Sequence, residues 1–294
     1  MEWSTVEVRD DNGEGFTVKK CEELILPAWT PNIDEKLSLI KNLEYKDGDI
    51  LVCSYPKTGT HWVSNIVQFL CADGPIEDIT SFTPKLMELT PPDRWSSVCE
   101  GRMRSSHLRP NRLPVSYYQN GSKIIVVVRN PKDAMVSMFY HLKNAPQFDF
   151  KMTWDLFFTV YTRGEVPFGS YFDYYDSFQA KMEQCKTADF LVVHFENLKQ
   201  NGFEEIKRIQ EFIGTNNSDE RLQQILDKNT IKKLKADIDS GKVISPLVDK
   251  FGKSTLYRKG VIGDWKNIFT VAQNDLFDRI IEEKFKNSLF NVYY

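Results

Sequence analysis

The residues best suited to chemistry in this 294-residue chain begin with a loop at positions 56–60, which contains Lys57, Gly59 and two threonines. An apolar run at 50–53 precedes the loop and predicts a buried strand. From His61 onward, apolar residues recur at the spacing of one helix face. A strand-to-helix loop directs backbone N–H groups and the positive end of a helix dipole at one point, which favours a phosphate or sulfate.

The loop does not follow the Walker A pattern, because Lys57 precedes the only glycine, whereas that pattern ends in Gly-Lys followed by Ser or Thr. Taken alone, the loop is also compatible with a plain connection between a strand and a helix.

A second anion ligand is predicted at the end of another strand. The apolar run 123–128 ends at Arg129, and Asn130 and Pro131 are suited to begin a helix that carries Ser137. Because ligands bind at the carboxyl ends of parallel strands, Lys57 and Arg129 are expected at one crevice. The alternative is that Arg129, and Lys259 further along the chain, are solvated surface cations.

The order of elements predicts the fold. Strands alternate with helical stretches, which favours an α/β fold of three layers with a central parallel sheet. We predict a single domain over residues 1–294, with residues 1–23 loosely held and residues 73–101 forming a long surface excursion that overhangs the site.

Composition narrows the class of function. The net charge of −3 and pI of about 5.9 give no basic field for nucleic acid. No apolar run reaches membrane-spanning length, and residues 1–20 do not read as a signal peptide. Five cysteines lack a C-x-x-C pair, which favours reduced thiols and a cytoplasmic location. No Cys, His, Asp or Glu set has metal-site spacing, so no metal is expected.

Two blocks of sequence resemble one family. Tyr-Pro-Lys-Thr-Gly-Thr-His-Trp at 55–62 resembles the cofactor loop of the cytosolic sulfotransferases, and Arg-Lys-Gly-Val-Ile-Gly-Asp-Trp-Lys at 258–266 resembles the family's C-terminal signature. The resemblance extends from about Asp34 to Phe290. Members transfer a sulfuryl group from 3′-phosphoadenylyl sulfate (PAPS) to hydroxyl or amine acceptors without a metal, and the loop at 56–60 is then a P-loop-like phosphosulfate site.

The resemblance implies roles for individual residues. His107, in Ser-His-Leu at 106–108, is implied as the general base, and Lys57 as the group that neutralises the departing phosphate. The implied cofactor ligands are Lys57, Thr58, Gly59, Thr60, His61, Trp62, Arg129, Ser137, Phe195, Thr230, Arg258, Lys259 and Gly260.

The chain departs from the family pattern at three positions. Ser105 stands where many members have Lys, although the adjacent Arg104 could supply the missing charge. Phe195 stands for a Tyr near the adenine, and Ile231 for an aromatic expected to stack on it.

The acceptor pocket is inferred from residues in the segments that line it in the family. Together they imply a small, apolar acceptor of a phenolic or steroid-like kind. The candidate acceptor-binding residues are Ser105, Phe82, Phe139, Phe148 and Phe168.

The segment from Lys266 to Asp275 resembles the family's dimerisation segment and implies a weak homodimer. The alternative for this segment is a helix N-cap with flanking surface charges.

Two other functions stay open at this point. A P-loop-like nucleotide kinase would require ATP and Mg²⁺. A non-catalytic relative would bind adenosine 3′,5′-bisphosphate (PAP) or a lipophile without turnover, and the loss of Lys at Ser105 is its best support.

Overall fold

The computed structural model describes residues 2–9, 13–76, 86–95, 103–245 and 247–293. Within these residues the strands form two sheets. The first is antiparallel with order β1-β2-β3, and comprises β1 (Ser4–Arg9), β2 (Gly15–Cys21) and β3 (Leu24–Pro27). The second is parallel with order β5-β4-β6-β7, and comprises β4 (Ile50–Ser54), β5 (Met103–Ser106), β6 (Lys123–Val128) and β7 (Asp189–His194).

The described chain also contains α-helices along most of its length. They are α1 (Ile33–Lys41), α2 (Thr60–Cys71), α3 (Val115–Gln119), α4 (Pro131–Asn144), α5 (Trp154–Thr162), α6 (Tyr171–Gln184), α7 (Phe195–Gln200), α8 (Gly202–Ile213), α9 (Asp219–Lys228), α10 (Ile231–Asp239) and α11 (Val271–Phe285). In the part of the chain that is described, no helix is long and apolar enough to cross a bilayer.

The parallel sheet is covered on both faces. Along β6, Ile124 and Val126 belong to one apolar cluster, whereas Ile125 and Val127 belong to another. The first cluster includes residues of α5, α6 and α11, and the second includes residues of α2, α8, α9 and α10. Because side chains alternate between the faces of a strand, the sheet is the middle of three layers. The predicted single-domain α/β fold with a central parallel sheet is confirmed.

The start of α4 follows the sequence prediction. The side chain of Asn130 accepts hydrogen bonds from the N–H groups of Lys132 at 2.9 Å and Asp133 at 3.4 Å, and Pro131 is the first helical residue. This cap fixes α4 directly behind Arg129.

The prediction that residues 1–23 are loosely held is wrong for β1 and β2. These strands pair in antiparallel register from Ser4–Lys20 to Arg9–Gly15. Phe16 and Val18 are buried in the main core. Most polar residues of this segment lie on the exposed side of the strand pair. Because they outnumber the apolar residues, the alternation of apolar and polar positions along β2 was not recognised in the sequence.

The predicted surface excursion at 73–101 is described only at 73–76 and 86–95. Leu86 forms a parallel bridge with Ser105 beside β5, and Met87 is fully buried. Residues 86–88 therefore pack against the sheet, whereas residues 73–75 and 91–93 are exposed, as a surface excursion requires. A short 3-10 helix at Pro92–Arg94 matches the helical turns expected there.

Candidate active site

A crevice lies where the strands of the parallel sheet end. Lys57, His107, Arg129 and Phe195 follow β4, β5, β6 and β7, and the side chains of all four line the crevice. Its empty space, counted up to the open mouth, is about 1070 Å³.

The crevice has two parts. The anion half is lined by residues 56, 57, 59 and 60 of the loop, by Arg129 and Ser137, and by residues 258–260. The apolar half is lined mainly by hydrophobic side chains together with two imidazoles: Pro27, Trp29, Leu86, Leu89, His107, Met138, His141, Leu142, Phe148, Pro167, Phe168 and Leu247.

The loop of the anion half has an unusual backbone. Lys57 has a φ of 69° and Gly59 a φ of 117°, both in the left-handed region. A Cβ at Gly59 would lie 3.2 Å from Phe195 Cδ2, so only glycine fits without displacing that ring. Left-handed residues in such a loop turn backbone N–H groups into one concavity, as an anion site requires.

A hydrogen bond fixes the side chain of Lys57 in the crevice. Its Nζ donates to the Leu256 carbonyl at 3.1 Å. Burial, together with the nearby Arg129 and Arg258, lowers the pKa of Lys57 to about 7. A bound anion would raise the pKa of Lys57 again, because a nearby negative charge stabilises the protonated amine.

Arg129 has unused hydrogen-bonding capacity. Its two terminal nitrogens donate to the carbonyls of Lys57 and Val261, each at 3.2 Å, and its guanidinium lies 4.3 Å from the centre of the Phe195 ring. Among the described residues, nothing accepts from its buried Nε. An orphaned donor on a fixed guanidinium beside Ser137 fits an anionic ligand.

The segment 258–265 is tied to α4 by Asp133, a residue that the sequence analysis did not single out. The Asp133 carboxylate accepts from the N–H groups of Gly263 at 2.7 Å and Trp265 at 3.1 Å. This contact brings two regions far apart in the sequence to one side of the crevice. Acidic residues are common in the first turn of a helix, so the sequence around Asp133 gives no sign of its contact with residues 263 and 265.

Asp264 orients the two cations of this segment. It is bonded to Arg258, and it accepts from Lys259 Nζ at 2.8 Å. Burial favours the neutral acid, but the bonds from Lys259, Asn267 and Arg258 outweigh burial and lower the pKa of Asp264 to about 2. Arg258 Nε has no partner among the described residues.

Two aromatic rings form the wall beside the anion half. Trp62 and Phe195 meet edge to face with ring centres 5.2 Å apart, and both line the crevice. Ile231 packs against Gly260 so closely that a Cβ at position 260 would lie 2.7 Å from Ile231 Cγ2. His61 also lines the crevice, and burial lowers its pKa to about 3.

Two predicted cofactor residues use their side chains elsewhere. The Thr58 hydroxyl is fully buried and donates to the Tyr55 carbonyl at 2.7 Å, and Thr58 does not line the crevice. The Thr230 side chain caps α10, accepting from Lys233 N–H at 3.3 Å, and does not line the crevice.

His107 lies at the junction of the two halves. Its Nδ1 is 2.7 Å from the Ser54 carbonyl oxygen, which can only accept, so Nδ1 carries the proton and Nε2 has a free lone pair. Burial lowers the pKa of His107 to about 4, the Ser54 carbonyl opposes this, and Lys57 adds to it. At neutral pH the ring is a neutral base.

Glu88 holds the backbone of His107 in place, and sequence reasoning missed it. One carboxylate oxygen accepts from His107 N–H at 2.7 Å and the other from the Ser106 hydroxyl at 2.9 Å. Burial raises the pKa of Glu88 to about 7, and these hydrogen bonds oppose the rise. A buried carboxylate with two donors fixes the end of β5.

The predicted acceptor residues divide. Phe148 and Phe168 line the apolar half, and Phe168 packs on His107 with ring centres 5.1 Å apart. Phe82 lies outside the described residues.

The prediction that Phe139 lines the acceptor pocket is wrong. Its ring packs in the core against Phe150, Trp154 and Phe157. The residues of α4 that line the crevice are 137, 138, 141 and 142. With 3.6 residues per turn, position 139 is rotated off that face.

The prediction that Ser105 faces the acceptor is also wrong. Ser105 lies within β5, below the sheet's edge, and its hydroxyl is 3.0 Å from that of Ser64 on α2. Arg104 does not supply the missing charge, since it is paired with Asp49 at 3.2 Å and with the Tyr117 hydroxyl at 2.7 Å. Among the described residues of β4 to β7 none lines the crevice, and the lining residues next to these strands lie beyond their ends.

The segment 266–275 has the capping box that its sequence predicts. The Thr270 side chain accepts from Gln273 N–H, and Gln273 bonds back to Thr270 N–H. Val271 is 79% exposed although it is apolar.

No group of three or more His, Cys, Asp or Glu residues that could hold a metal ion occurs within the described ranges.

Comparison with known proteins gives a consistent result. The family model described as the sulfotransferase domain matches residues 47–289. Human sulfotransferase 1C2 is 30% identical over 96% of this chain and 97% of its own length, and mouse sulfotransferase 1B1 is 33% identical over 83% and 85%. The crystal structure of mouse sulfotransferase SULT7A1 complexed with PAP superposes with a TM-score of 0.77 at 29% identity, covering 92% of this chain and 96% of that one. The resemblance inferred from the two sequence blocks is confirmed, and the chain belongs to the sulfotransferase family.

Proposed function

We propose that this enzyme transfers the sulfuryl group of PAPS to a hydroxyl, or an amine, of a small apolar acceptor of phenolic or steroid-like type, with His107 as general base. The observation that carries the proposal is the state of His107. Its Nδ1 proton is committed to Ser54, so a basic Nε2 faces the crevice between an apolar pocket and the cationic Lys57.

The anion half supports a ligand with two separate charged groups. Lys57 and the backbone N–H groups of residues 57–60 suit the phosphosulfate end. The orphaned Nε atoms of Arg129 and Arg258, with Ser137, Lys259 and Gly260 nearby, suit a 3′-phosphate. Trp62 and Phe195 supply an aromatic wall for the adenine. SULT7A1, which has the same fold, is itself complexed with PAP.

The proposed reaction follows from these positions. His107 Nε2 takes the proton of the acceptor hydroxyl as its oxygen bonds to sulfur, and the bond from sulfur to the bridging oxygen breaks. The released negative charge appears on the 5′-phosphate of PAP, where Lys57 stabilises it by roughly 3 kcal/mol. As in phosphoryl transfer, positioning and charge stabilisation do most of the work.

The direct test is to incubate the protein with sulfate-labelled PAPS and a panel of phenols, steroids, aliphatic alcohols and arylamines. Labelled product from at least one class, unaffected by EDTA, is expected. A requirement for ATP and Mg²⁺ in place of PAPS would instead establish a kinase. PAP binding without product from any acceptor would establish a non-catalytic relative.

We also propose a weak homodimer through the segment from Lys266 to Asp275 and a cytoplasmic location, as in the cytosolic members that the sequence resembles. The exposed Val271 at the start of α11 supports the dimer, because a two-fold contact there would cover it. Sedimentation should show a concentration-dependent dimer that Val271→Glu converts to monomer, whereas a variant that stays dimeric places the interface elsewhere.

A further inference from the structure

The apolar half of the crevice contains a second histidine that the proposed reaction does not use. His141 lies on α4, on the helix face that also carries Ser137, Met138 and Leu142, and all four line the crevice. An α-helix brings residues four apart onto one face, so the face that carries Ser137 into the anion half carries His141 along the crevice wall. Most of the other side chains in this half are hydrocarbon.

The protonation state of His141 follows from its one hydrogen bond. Nδ1 is 3.2 Å from the Thr255 carbonyl oxygen, which can only accept, so Nδ1 carries the proton. Nε2 therefore has a lone pair and no partner among the described residues. Burial lowers the pKa of His141 well below its usual range, Lys57 adds to this, and the Thr255 carbonyl opposes it. The ring is neutral at physiological pH.

The surroundings of His141 repeat those of His107. His107 packs edge to face on Phe168 with ring centres 5.1 Å apart, and His141 packs edge to face on Phe148 at 5.5 Å. Each Nδ1 is fixed by a backbone carbonyl. Phe148 in turn meets Trp29 at 6.0 Å, so His141 is set in the aromatic wall of the apolar half. The apolar half thus presents two oriented hydrogen-bond acceptors.

We propose that His141 determines acceptor specificity: the apolar half takes aromatic molecules with two hydroxyl groups, one presented to His107 for sulfation and the other donating a hydrogen bond to His141 Nε2. A molecule with only one hydroxyl would bury the Nε2 lone pair without a partner. Leaving a buried acceptor unsatisfied costs more than a made bond gains, so the pocket discriminates against such molecules. This inference rests on the proposed function, since it takes His107 as the base.

The test compares matched acceptors in equilibrium binding. Phenol is compared with catechol, resorcinol and hydroquinone, and a monohydroxybiphenyl with its dihydroxy analogues, with and without saturating PAP. In the wild-type protein the second hydroxyl should tighten binding of the best-matched pair by roughly tenfold. His141→Phe keeps a flat ring but removes the hydrogen-bond acceptor. The ratio of the dissociation constants of the monohydroxy and dihydroxy molecules should then lie within about twofold of one. His141→Gln, whose Oε1 can accept, should keep part of the preference.

A matched control is available in the same chain. His194→Phe makes the same replacement at a buried histidine that packs on Tyr293 and does not line the crevice, so it should leave the ratio unchanged. Retention of the full preference in His141→Phe, or no preference in the wild type for any pair, overturns the proposal.

Binding and turnover separate the two proposals. A binding ratio that depends on His141, without sulfation of any phenol, would refute phenols as acceptors of the proposed reaction and leave the binding role of His141 standing. Sulfation of both members of each pair at equal efficiency, with equal binding, would support the proposed reaction and refute the role of His141. PAP affinity measured on every variant shows that the crevice is still folded.

Discussion

The anion half and the apolar half of the crevice differ in how they are built. The anion half is made of backbone and of charges. Its loop 56–60 and Arg129 follow strand ends and are fixed by short local sequences, whereas residues 258–260 belong to a segment that Asp133 ties to α4. The apolar half is made of side chains from β3, the 86–89 segment, α4 and several loops, which no single stretch of sequence brings together. The first half suits one ligand, whereas the second can change with few constraints from the fold.

The two halves also use polar groups differently. Around the anion half, Asp133 and Asp264 hold backbone and cations by several hydrogen bonds each. In the apolar half, His107 and His141 each have one fixed nitrogen and one free nitrogen. The first arrangement rigidifies a site, and the second offers acceptors to a substrate.

The largest expected effect separates the halves at His107. His107→Ala should lower kcat by about 10²–10⁴, since the base is lost, and should leave PAP affinity within about twofold. Single-turnover assays and PAP titration measure the two quantities, with His194→Ala as the control. A variant that keeps more than about a tenth of the wild-type kcat would mean that another base operates.

Two phenylalanines test where the apolar half ends. Phe139→Ala should lower the free energy of unfolding by about 3–5 kcal/mol, because Phe139 is a core residue, and should leave the acceptor KM little changed. Phe148→Ala should raise the acceptor KM with a much smaller loss of stability, since Phe148 is only partly buried. Urea unfolding and steady-state kinetics distinguish them. The opposite pattern would place Phe139 in the pocket.

Arg129 tests the anion half. Arg129→Ala should weaken PAP binding by about 10- to 150-fold, the value of a charge-assisted hydrogen bond, and should weaken 5′-AMP binding far less. Calorimetry with both nucleotides measures the difference, since only PAP carries the 3′-phosphate. Equal losses for the two ligands would show that Arg129 contacts another part of the nucleotide.

The pH dependence should differ between free and loaded enzyme. With its pKa near 7, free Lys57 loses its proton as the pH rises through 7, so kcat/KM for PAPS should fall by up to tenfold per pH unit above that point. Bound phosphosulfate raises the pKa of Lys57, so kcat should stay flat over the same range. On the acid side, His107 is protonated as the pH falls through about 4, and activity should be lost there. Parallel falls of kcat and kcat/KM above pH 7 would contradict this role for Lys57.

Much of the anion half could be predicted from the sequence. Its elements are a strand, a tight loop and a helix start, and each has a local signature: the apolar run before Lys57, the left-handed Gly59, and the Asn-Pro start of α4. Because the carboxyl ends of parallel strands meet at one edge of a sheet, the order of elements alone is enough to bring Lys57 and Arg129 together.

The sequence alone thus determined the fold class, the strand-to-helix loop at 56–60 and the strand-end residues, because these follow from periodicity and local backbone geometry. It did not determine which side chains face the crevice. Ser105 lies within β5 instead of beyond its end, and Phe139 is rotated by part of a helical turn away from the lining face of α4. Glu88, Asp133 and His141 each form hydrogen bonds with partners distant in sequence. Those assignments depend on how helices and loops pack over the sheet, which is a property of the whole chain, so only the tertiary structure decided them.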